Sequence, residues 1–398
     1  MPAFTLAVGS DGGYTTVTME RREWLNRWRW LAIALVLGAD VAHAQSDTAT
    51  VTNTLSPAQV AQREFEWGTV FLRENRFASA AEAFQHAALL LPGYVEAYVQ
   101  WGVALVQVGN LSPSAVERLQ KYKEATDKFG KAVELRPTDK NAYLLWSNAL
   151  ILIGDLPVEP RVRLACYQGA AEKYRKVTEL APQEWGAYSQ WGDLLTNKLP
   201  PFATDDKSRE ELYRKAAALF GKAAENARYS ADLAPACANW GTALARAARF
   251  TADSSEKQLL LREAISKFER AARAIPNSAS TYALWGATLL ELGKITRLRT
   301  DLRDGITQLN ASLALKPNDP GTLYTLACGY ALMDNSIMAI QTLKQCLAAD
   351  GANTYRASAP RDPDLASLRG QPNFAELFQT DTRHGIPAYN PPLRDGPR

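Results

Sequence analysis

Histidine, cysteine and methionine are scarce in this 398-residue chain, which has three, four and four of them. One histidine, His43, lies in a segment that we expect to be removed, so only His86 and His384 remain for histidine-based catalysis. No CxxC, CxxCH, HExxH, P-loop, GxGxxG or GxSxG pattern occurs, and paired carboxylates stand only on charged, solvated segments. The sequence therefore predicts no enzymatic activity, no metal site, no cofactor and no small-molecule substrate.

An excess of charge of one sign is also lacking. The chain has 45 basic and 42 acidic residues, a net charge of +3, and no basic cluster. Nucleic acid is therefore not an expected partner. A hydrophobic content of 46% with 22% charged residues is enough to build sizeable cores and excludes a disordered chain.

The apolar run at 30–39 is about half of the roughly 20 residues that a helix needs to cross a bilayer. Basic residues precede the run, and small residues in the A-x-A pattern of a cleavage site follow it, as in a secretory signal peptide. We therefore expect a periplasmic or secreted protein, cleaved near Ala44, with no stable membrane anchor. An amphipathic first helix is the alternative, but the run is apolar all round. The basic residues are Arg21, Arg22, Arg27 and Arg29, and the cleavage pattern is Ala42-His43-Ala44.

A Trp-Gly or Trp-Ser step recurs along most of the chain. In four copies a tyrosine stands three residues before the Trp, and a bulky residue stands four after it in every copy, so these side chains share one helix face. The tryptophans are Trp67, Trp101, Trp146, Trp191, Trp240 and Trp285, and Leu326-Ala327 takes the same place in a seventh copy.

Each copy continues with a second amphipathic pattern of a small, a bulky and a small residue, as in Ala216-Phe220-Ala223. In five copies a proline five residues later ends the helix. Small residues allow two helices to approach closely, and the aromatic rings fill the space between neighbouring hairpins. Burying one Trp contributes about 4–6 kcal/mol before entropy is subtracted. We therefore expect the tryptophans to form the core of the repeats.

This spacing resembles the tetratricopeptide repeat (TPR) from about Gln59 to Ala349. The Gly or Ala after the Trp, the first Ala of the second helix and the closing Pro match the family, whereas Trp replaces a more usual Leu. The resemblance implies an all-α fold, an α-solenoid of about seven TPR-like hairpins with a C-terminal capping helix. It implies little about function, because the same residues build the scaffold in every member.

The five central copies are longer than the family's repeat. From the Trp position to the first small residue of the second helix there are 13 residues in the first and last copies (67 to 80, 326 to 339) but 24 in the second (101 to 125). Eleven extra residues make about three helical turns, which lengthens helices without rotating their packed face. We expect long second helices starting at Ser112-Pro113 and near Pro160, Asp206 and Ser254. The fourth copy has Arg228 in place of the closing Pro, which predicts an irregular joint, a candidate bend, before the fifth.

The sequence thus divides into five segments. Residues 1–44 are an upstream extension with a signal peptide, 45–56 a linker and 57–350 the repeats. Residues 360–380 are expected to cap the last hairpin, and 381–398 form a Pro/Gly-rich tail.

The resemblance places ligand contacts on the concave face of the repeats, two residues before and two after each Trp. Such a groove suits an extended or helical segment of another protein. Of the Lys and Asn residues with which some members clamp a terminal carboxylate, only Asn148 matches. Protruding inter-helix loops are the alternative binding surface. The expected groove residues are Val99, Val103, Leu144, Asn148, Ser189, Asp193, Asn197, Thr242 and Arg246, with Phe65, Thr69, Gln107, Ala238, Ala283 and Ala287 at related positions.

Four cysteines in an exported chain raise the question of a disulfide. Cys166 and Cys237 belong to different hairpins and are expected to be buried thiols. Cys328 and Cys346 lie on the two helices of the last hairpin, where either a bridge or two buried thiols is possible.

The leading hypothesis is a non-enzymatic scaffold or adaptor of the cell envelope that binds a segment of a partner protein. The alternative is a permanent, non-catalytic accessory subunit of an envelope enzyme complex, with the long central helices as its interface.

Overall fold

The computed structural model describes residues 55–378 and, near the N-terminus, residues 4–10 and 13–19. The expected signal sequence beyond Met19, the linker up to residue 54 and the tail at 381–398 lie outside the described residues. Strands β1 (Phe4–Ser10) and β2 (Gly13–Met19) pair antiparallel, with Phe4 opposite Met19 and Ser10 opposite Gly13. They form a short hairpin in the segment that the sequence analysis treated as an upstream extension.

The chain divides into two compact units, residues 1–104 and 105–398. The first contains helices α1 (Pro57–Arg73) and α2 (Phe77–Leu90) and most of α3 (Val95–Leu111). A capping box starts α1, because the Ser56 side chain accepts from the Gln59 amide and Gln59 accepts from the Ser56 amide. A methyl group on Gly68 would lie 2.6 Å from the Phe84 ring, so this glycine sets the spacing of α1 and α2.

In the second unit, hairpins stack in chain order, with each helix packed on the one before it. Residues 55–378 thus form the seven predicted helical hairpins, and those of the second unit stack as the predicted α-solenoid. The helices are α4 (Ala115–Leu135), α5 (Lys140–Asp155), α6 (Pro160–Leu180), α7 (Trp185–Asn197), α8 (Asp206–Asn226), α9 (Ser230–Phe250), α10 (Ser254–Ala274), α11 (Ala279–Thr296), α12 (Arg299–Leu315), α13 (Pro320–Leu332) and α14 (Ser336–Ala349). Odd-numbered helices are first helices of a hairpin and even-numbered ones are second helices.

The long second helices are confirmed. Helices α4, α6, α8 and α10 each have 21 residues, whereas α2 and α14 have 14. The expected start of α4 was wrong by two residues: its N-cap is Ser114, whose side chain accepts from the Val116 amide. Ser112 instead donates to the carbonyl of Val108 at the end of α3.

The added turns repeat the contact between a small residue and a bulky one. A methyl group on Gly109 would lie 2.6 Å from the Tyr122 ring, and one on Gly293 would lie 2.6 Å from Leu302. Gly109 and Gly293 each come seven residues after the glycine that follows the Trp of their copy. Tyr122 and Leu302 each come seven residues before the bulky residue of the second helix, which is Phe129 or Leu309. A shift of seven residues is close to two helical turns, so the elongated helices stay in contact along the same face.

The joint between the fourth and fifth copies differs from the others, as expected. Helix α9 starts at Ser230, ten residues before Trp240, whereas α5, α7 and α11 start six residues before their Trp. It contains Pro235 in its second turn, where the missing amide removes one hydrogen bond of the helix.

After α14 the chain packs against the last hairpin in short turns. These are α15 (Thr354–Ser358), two 3₁₀ segments (Ala359–Arg361, Pro363–Leu368) and α16 (Pro372–Glu376). Leu365, Leu368 and Phe374 are fully buried against Ala327 and Leu343 of the last hairpin. This ending covers the apolar face that the final hairpin would otherwise expose.

The tryptophans lie at the seams between copies, but they are not fully buried. A methyl group on Gly130 of α4 would lie 3.5 Å from the Trp146 ring, and one on Gly221 of α8 would lie 3.3 Å from Trp240. These two rings thus pack on the second helix of the preceding copy. Trp67 departs from the expected core position: it is 44% exposed, because no second helix among the described residues precedes the first copy.

Candidate functional site

The positions two residues before and two after the Trp form a half-buried row on the first helices of the second unit. The neighbouring positions one and three residues after the Trp are buried, as at Ser147, Gly192 and Ala243. We call this row the first-helix face; it consists of Leu144, Asn148, Ser189, Asp193, Ala238, Thr242, Ala283 and Ala287. Its side chains are partly accessible in every copy from the third to the sixth, and it therefore offers a continuous surface of mixed polarity.

Asn148 is held by a tyrosine that the sequence analysis did not single out. Tyr174 is buried on α6, at the bulky position that is Phe in most copies, and its hydroxyl lies 2.7 Å from Asn148 Oδ1 and 3.1 Å from Gln190 Oε1. The hydroxyl therefore connects α5 to α7, and burial raises the pKa of Tyr174 above its ordinary value. The replacement of Phe by Tyr at a core position is the sequence signal that marks this connection.

Asp193 is tied to the next copy in the same way. Asn239 of α9 donates from Nδ2 to Asp193 Oδ1 over 3.2 Å. Burial raises the pKa of the Asp193 carboxyl above its ordinary value, because the half-buried site disfavours the charged form. Asn239 precedes Trp240 directly and was not predicted as a site residue.

Arg246 joins α9 to the C-terminal end of α7. Its Nη1 atom donates to the carbonyl of Thr196 over 3.0 Å and to Asn197 Oδ1 over 2.9 Å. The structure thus brings together Asn197 and Arg246, which the sequence analysis predicted as groove residues. A guanidinium at this place also complements the negative end of the helix dipole of α7.

An open cleft of about 420 Å³ lies beside this contact. Its walls come from the end of α7, the 3₁₀ turn Pro200–Phe202, the first turns of α8 and the second half of α9. The lining residues are Thr196, Asn197, Pro200, Pro201, Arg209, Tyr213 and Arg246. The prolines and Arg209 lie in the inserted part of the fourth copy, which has no counterpart in the shorter first and last copies.

In the first unit the expected groove residues lie in different surroundings. Val99 is buried, like Val95 one turn earlier on α3, so it contributes to packing and presents no groove surface. Val103 and Thr69 are partly exposed, and the Thr69 hydroxyl donates to the carbonyl of Phe65 within α1. The Phe65 ring packs at 5.4 Å from Phe84, which makes it part of the packing of this unit.

The cysteines are all free thiols, so the possible Cys328–Cys346 bridge is not formed. Burial raises the pKa of both thiols, that of Cys346 to about 12. Among the described residues, one group has metal-ligand character: Cys328 with Asp362 and Asp364. Lys294 already lies 3.0 Å from Asp364, and Asp362 accepts from the Tyr324 hydroxyl over 2.6 Å, so protein groups satisfy both carboxylates.

No protein-family model and no curated protein matches the chain. Among solved structures it is similar to the C-terminal part of a TPR repeat-containing protein from Cytophaga hutchinsonii, with 14% identity over 73% of this chain and 96% of that chain and a TM-score of 0.49. It is also similar to YrrB, a TPR protein with an unusual peptide-binding site (19% identity, 57% and 94% covered, TM-score 0.39). A third similar structure is PilW, a type IV pilus biogenesis factor (16% identity, 67% and 97% covered, TM-score 0.42). These identities are too low to carry a function from those proteins to this chain.

Within the part of the chain that the structure describes, no helix combines the length and the apolar character needed to span a membrane.

Proposed function

We propose that the chain is a non-enzymatic protein-binding scaffold that is exported to the cell envelope. It would hold a segment of a partner protein against the first-helix face and so support assembly of a complex. The observation that carries this proposal is the periodic, half-buried row from Leu144 to Ala287, which the packing of the solenoid leaves accessible in four consecutive copies. Repeat proteins bind extended partners on surfaces of this kind.

The composition of the face fits a peptide segment. Leu144, Ala238, Ala283 and Ala287 supply apolar contact, and the polar side chains between them supply hydrogen-bonding groups at helical intervals. The intramolecular bonds at Asn148 and Asp193 hold these side chains in defined positions. A preorganised surface loses less side-chain entropy on binding, which favours a specific partner.

Selection of binding peptides from a random displayed library with the full chain tests this proposal. Thr242→Trp, which places a bulky ring on the first-helix face, should weaken binding of the selected peptides by roughly tenfold or more. Ser266→Trp is the matched control, because Ser266 is exposed on second helix α10. Failure to select any peptide, or equal weakening by both substitutions, would contradict the proposal.

Export is part of the proposal and rests on the sequence at 19–44. The purified mature protein should begin at Gln45 when its N-terminus is sequenced. A mature protein that retains the residues before Ala44 would overturn this part of the proposal.

A second candidate is a permanent accessory subunit of an envelope complex. Exposed aliphatic side chains on the elongated second helices favour it: Val116 of α4 is 76% exposed and Leu259 of α10 is 67% exposed. Such a subunit should co-purify with its complex in high salt, because apolar interfaces are not screened. A scaffold that binds reversibly should be lost under the same wash.

A further inference from the structure

The cleft beside Arg246 exists because α7 ends early. First helices α3, α5 and α9 continue nine or ten residues beyond their Trp, to Leu111, Asp155 and Phe250, whereas α7 ends six residues after Trp191, at Asn197. Pro200 and Pro201 prevent the helix from continuing, since each lacks an amide donor and restricts the residue before it. The open cleft lies where a further turn of α7 would otherwise be.

Arg246 lines this cleft with a charge that no carboxylate in the described part of the chain balances. Of the described residues, only the neutral oxygens of Thr196 and Asn197 accept hydrogen bonds from it, and both bonds come from Nη1. Its Nη2 and Nε groups therefore have donors left for an incoming acceptor. A carboxylate is the acceptor whose geometry best matches a guanidinium, because two parallel N–H···O bonds can form.

Arg209, which also lines the cleft, is anchored by an aromatic stack. Its guanidinium lies 5.1 Å from the centre of the Phe250 ring, and Phe250 stacks on Tyr213 with 5.8 Å between centres. Asp206, three residues earlier on α8, accepts from Arg209 over 2.6 Å but is 72% exposed. An exposed ion pair of this kind is weak, so an acidic ligand can displace Asp206 from Arg209 at the cost of no more than a few-fold in affinity.

From this arrangement we infer that the cleft binds an acidic side chain, Asp or Glu, within the partner segment that lies on the first-helix face. The inference rests on the proposed function, since Asn197 and Arg246 continue the row of first-helix residues, and it specifies the partner's chemistry. Pro200, Pro201 and Tyr213 contact the aliphatic part of the acidic residue while the two guanidinium groups bind its carboxylate.

The cleft is open to solvent. An open cleft does not require the partner chain to end inside it, which fits an acidic residue within a segment. The volume lies within the roughly 300–1,000 Å³ of clefts that hold ligands.

Fluorescence anisotropy with the full chain tests the inference, using a labelled hexapeptide of alternating Leu and Glu that is capped at both ends. A Gln-for-Glu peptide is the charge control, and the same Gln peptide with a free C-terminal carboxylate tests terminal binding. We expect the Glu peptide to bind at least roughly tenfold more tightly than both, with an affinity that falls as salt is added.

Three substitutions distinguish the cleft from general electrostatics. Arg246→Gln should weaken binding of the Glu peptide roughly tenfold or more, and Asp206→Asn should strengthen it several-fold by releasing Arg209. Arg249→Gln removes the same charge from an exposed position on α9 that does not line the cleft, and it should have little effect. Because Asp206→Asn increases binding, a loss of folding in the Arg246 variant cannot imitate the full pattern.

Equal binding of the Glu and Gln peptides would overturn the inference, as would preference for the free C-terminus or an unchanged affinity of the Asp206 and Arg246 variants. None of these results would affect the scaffold function, which is tested with peptides selected without regard to charge.

Discussion

At the scale of single residues, small side chains set the distance between helices and a few polar atoms connect successive copies. Gly286 shows the first effect, because an added Cβ would lie 2.8 Å from the carbonyl of Gly305 and 2.7 Å from Leu309. Tyr174 and Arg246 show the second effect. The Tyr174 hydroxyl, on second helix α6, connects first helices α5 and α7, and Arg246 connects first helix α9 directly to α7. The sequence could predict the glycines from their position after the Trp. It could not predict the hydrogen bonds, because these depend on side-chain directions that the spacing of a repeat does not specify.

Gly286→Ala should destabilise the protein by about 1–3 kcal/mol, because the new methyl group meets backbone that cannot move without separating α11 from α12. Gly186→Ala is the matched control: apart from its chain neighbours and the nearby backbone of its own helix, no atom lies within 4 Å of the added Cβ, and the residue is in the first turn of α7. That change should stabilise by up to about 1 kcal/mol through helix propensity. Urea unfolding followed by circular dichroism measures both, and destabilisation of equal size in the two variants would contradict the close approach.

Asp193→Asn should increase stability at neutral pH. Burial raises the pKa of Asp193 in the folded state above its unfolded value of about 3.9. The stabilising contribution of this carboxyl to folding is therefore fully present below the unfolded pKa and is lost as pH rises through the folded pKa. The asparagine keeps an oxygen for Asn239. The difference in melting temperature between variant and wild type should therefore grow from pH 3.5 to pH 7.

Asp319→Asn should show the opposite sign. Hydrogen bonds from Lys316 and Thr322 lower the pKa of Asp319, so its stabilising contribution is present above about pH 3.9 and is lost as pH falls through the folded pKa. Stabilisation by both substitutions at pH 7 would contradict the burial argument for Asp193.

At the scale of elements, the inserted residues lengthen both helices of a hairpin without changing which faces meet. In the second copy, four of the inserted residues extend the first helix, because α3 continues four residues further beyond its Trp than α1 does. The other seven extend the second helix, because α4 has seven more residues before its first small residue than α2 has. The sequence predicts the total of eleven extra residues, but not this division, because a spacing between two landmarks does not locate the turn between them. In the fourth copy α8 is lengthened in the same way, but α7 ends six residues after its Trp, as α1 does, and the remaining inserted residues include the Pro200–Phe202 turn beside the cleft.

Arg163 closes one of these lengthened hairpins. Its Nε donates to the carbonyl of Gly154 over 3.0 Å and its Nη2 to that of Leu156 over 3.3 Å, which satisfies acceptors at the end of α5. Arg163→Met should cost about 1–3 kcal/mol, because these carbonyls lose their partner in a partly buried site. Arg161→Met, at an exposed position of α6, should cost less than about 0.5 kcal/mol. Thermal unfolding compares the two, and an equal cost would contradict the capping role.

At the scale of the whole molecule, each hairpin is stabilised by its neighbours, so disruption at one end should stay local. The sequence predicted the number and order of hairpins because the Trp-Gly step and the small-bulky-small pattern recur in register. It did not identify the partner, because the residues that repeat are the ones that build the scaffold, whereas the residues proposed to bind differ from copy to copy.

Phe374→Asp should release the C-terminal ending, since this ring is fully buried against the last hairpin. Amide hydrogen exchange should accelerate in 320–378 and stay close to wild type in 160–250, where the packing does not involve the ending. Uniform acceleration along all of the described repeats would show a single cooperative unit and contradict nearest-neighbour stabilisation.

The central claim, that the first-helix face holds a partner protein, is tested most directly by photo-crosslinking in the cells that make this chain. A benzophenone side chain at Ser189 or Thr242 should give a covalent adduct with the same partner, and one at Ser266 on α10 should give none. An adduct from Ser266 alone, or no adduct from any of the three positions, would contradict the account.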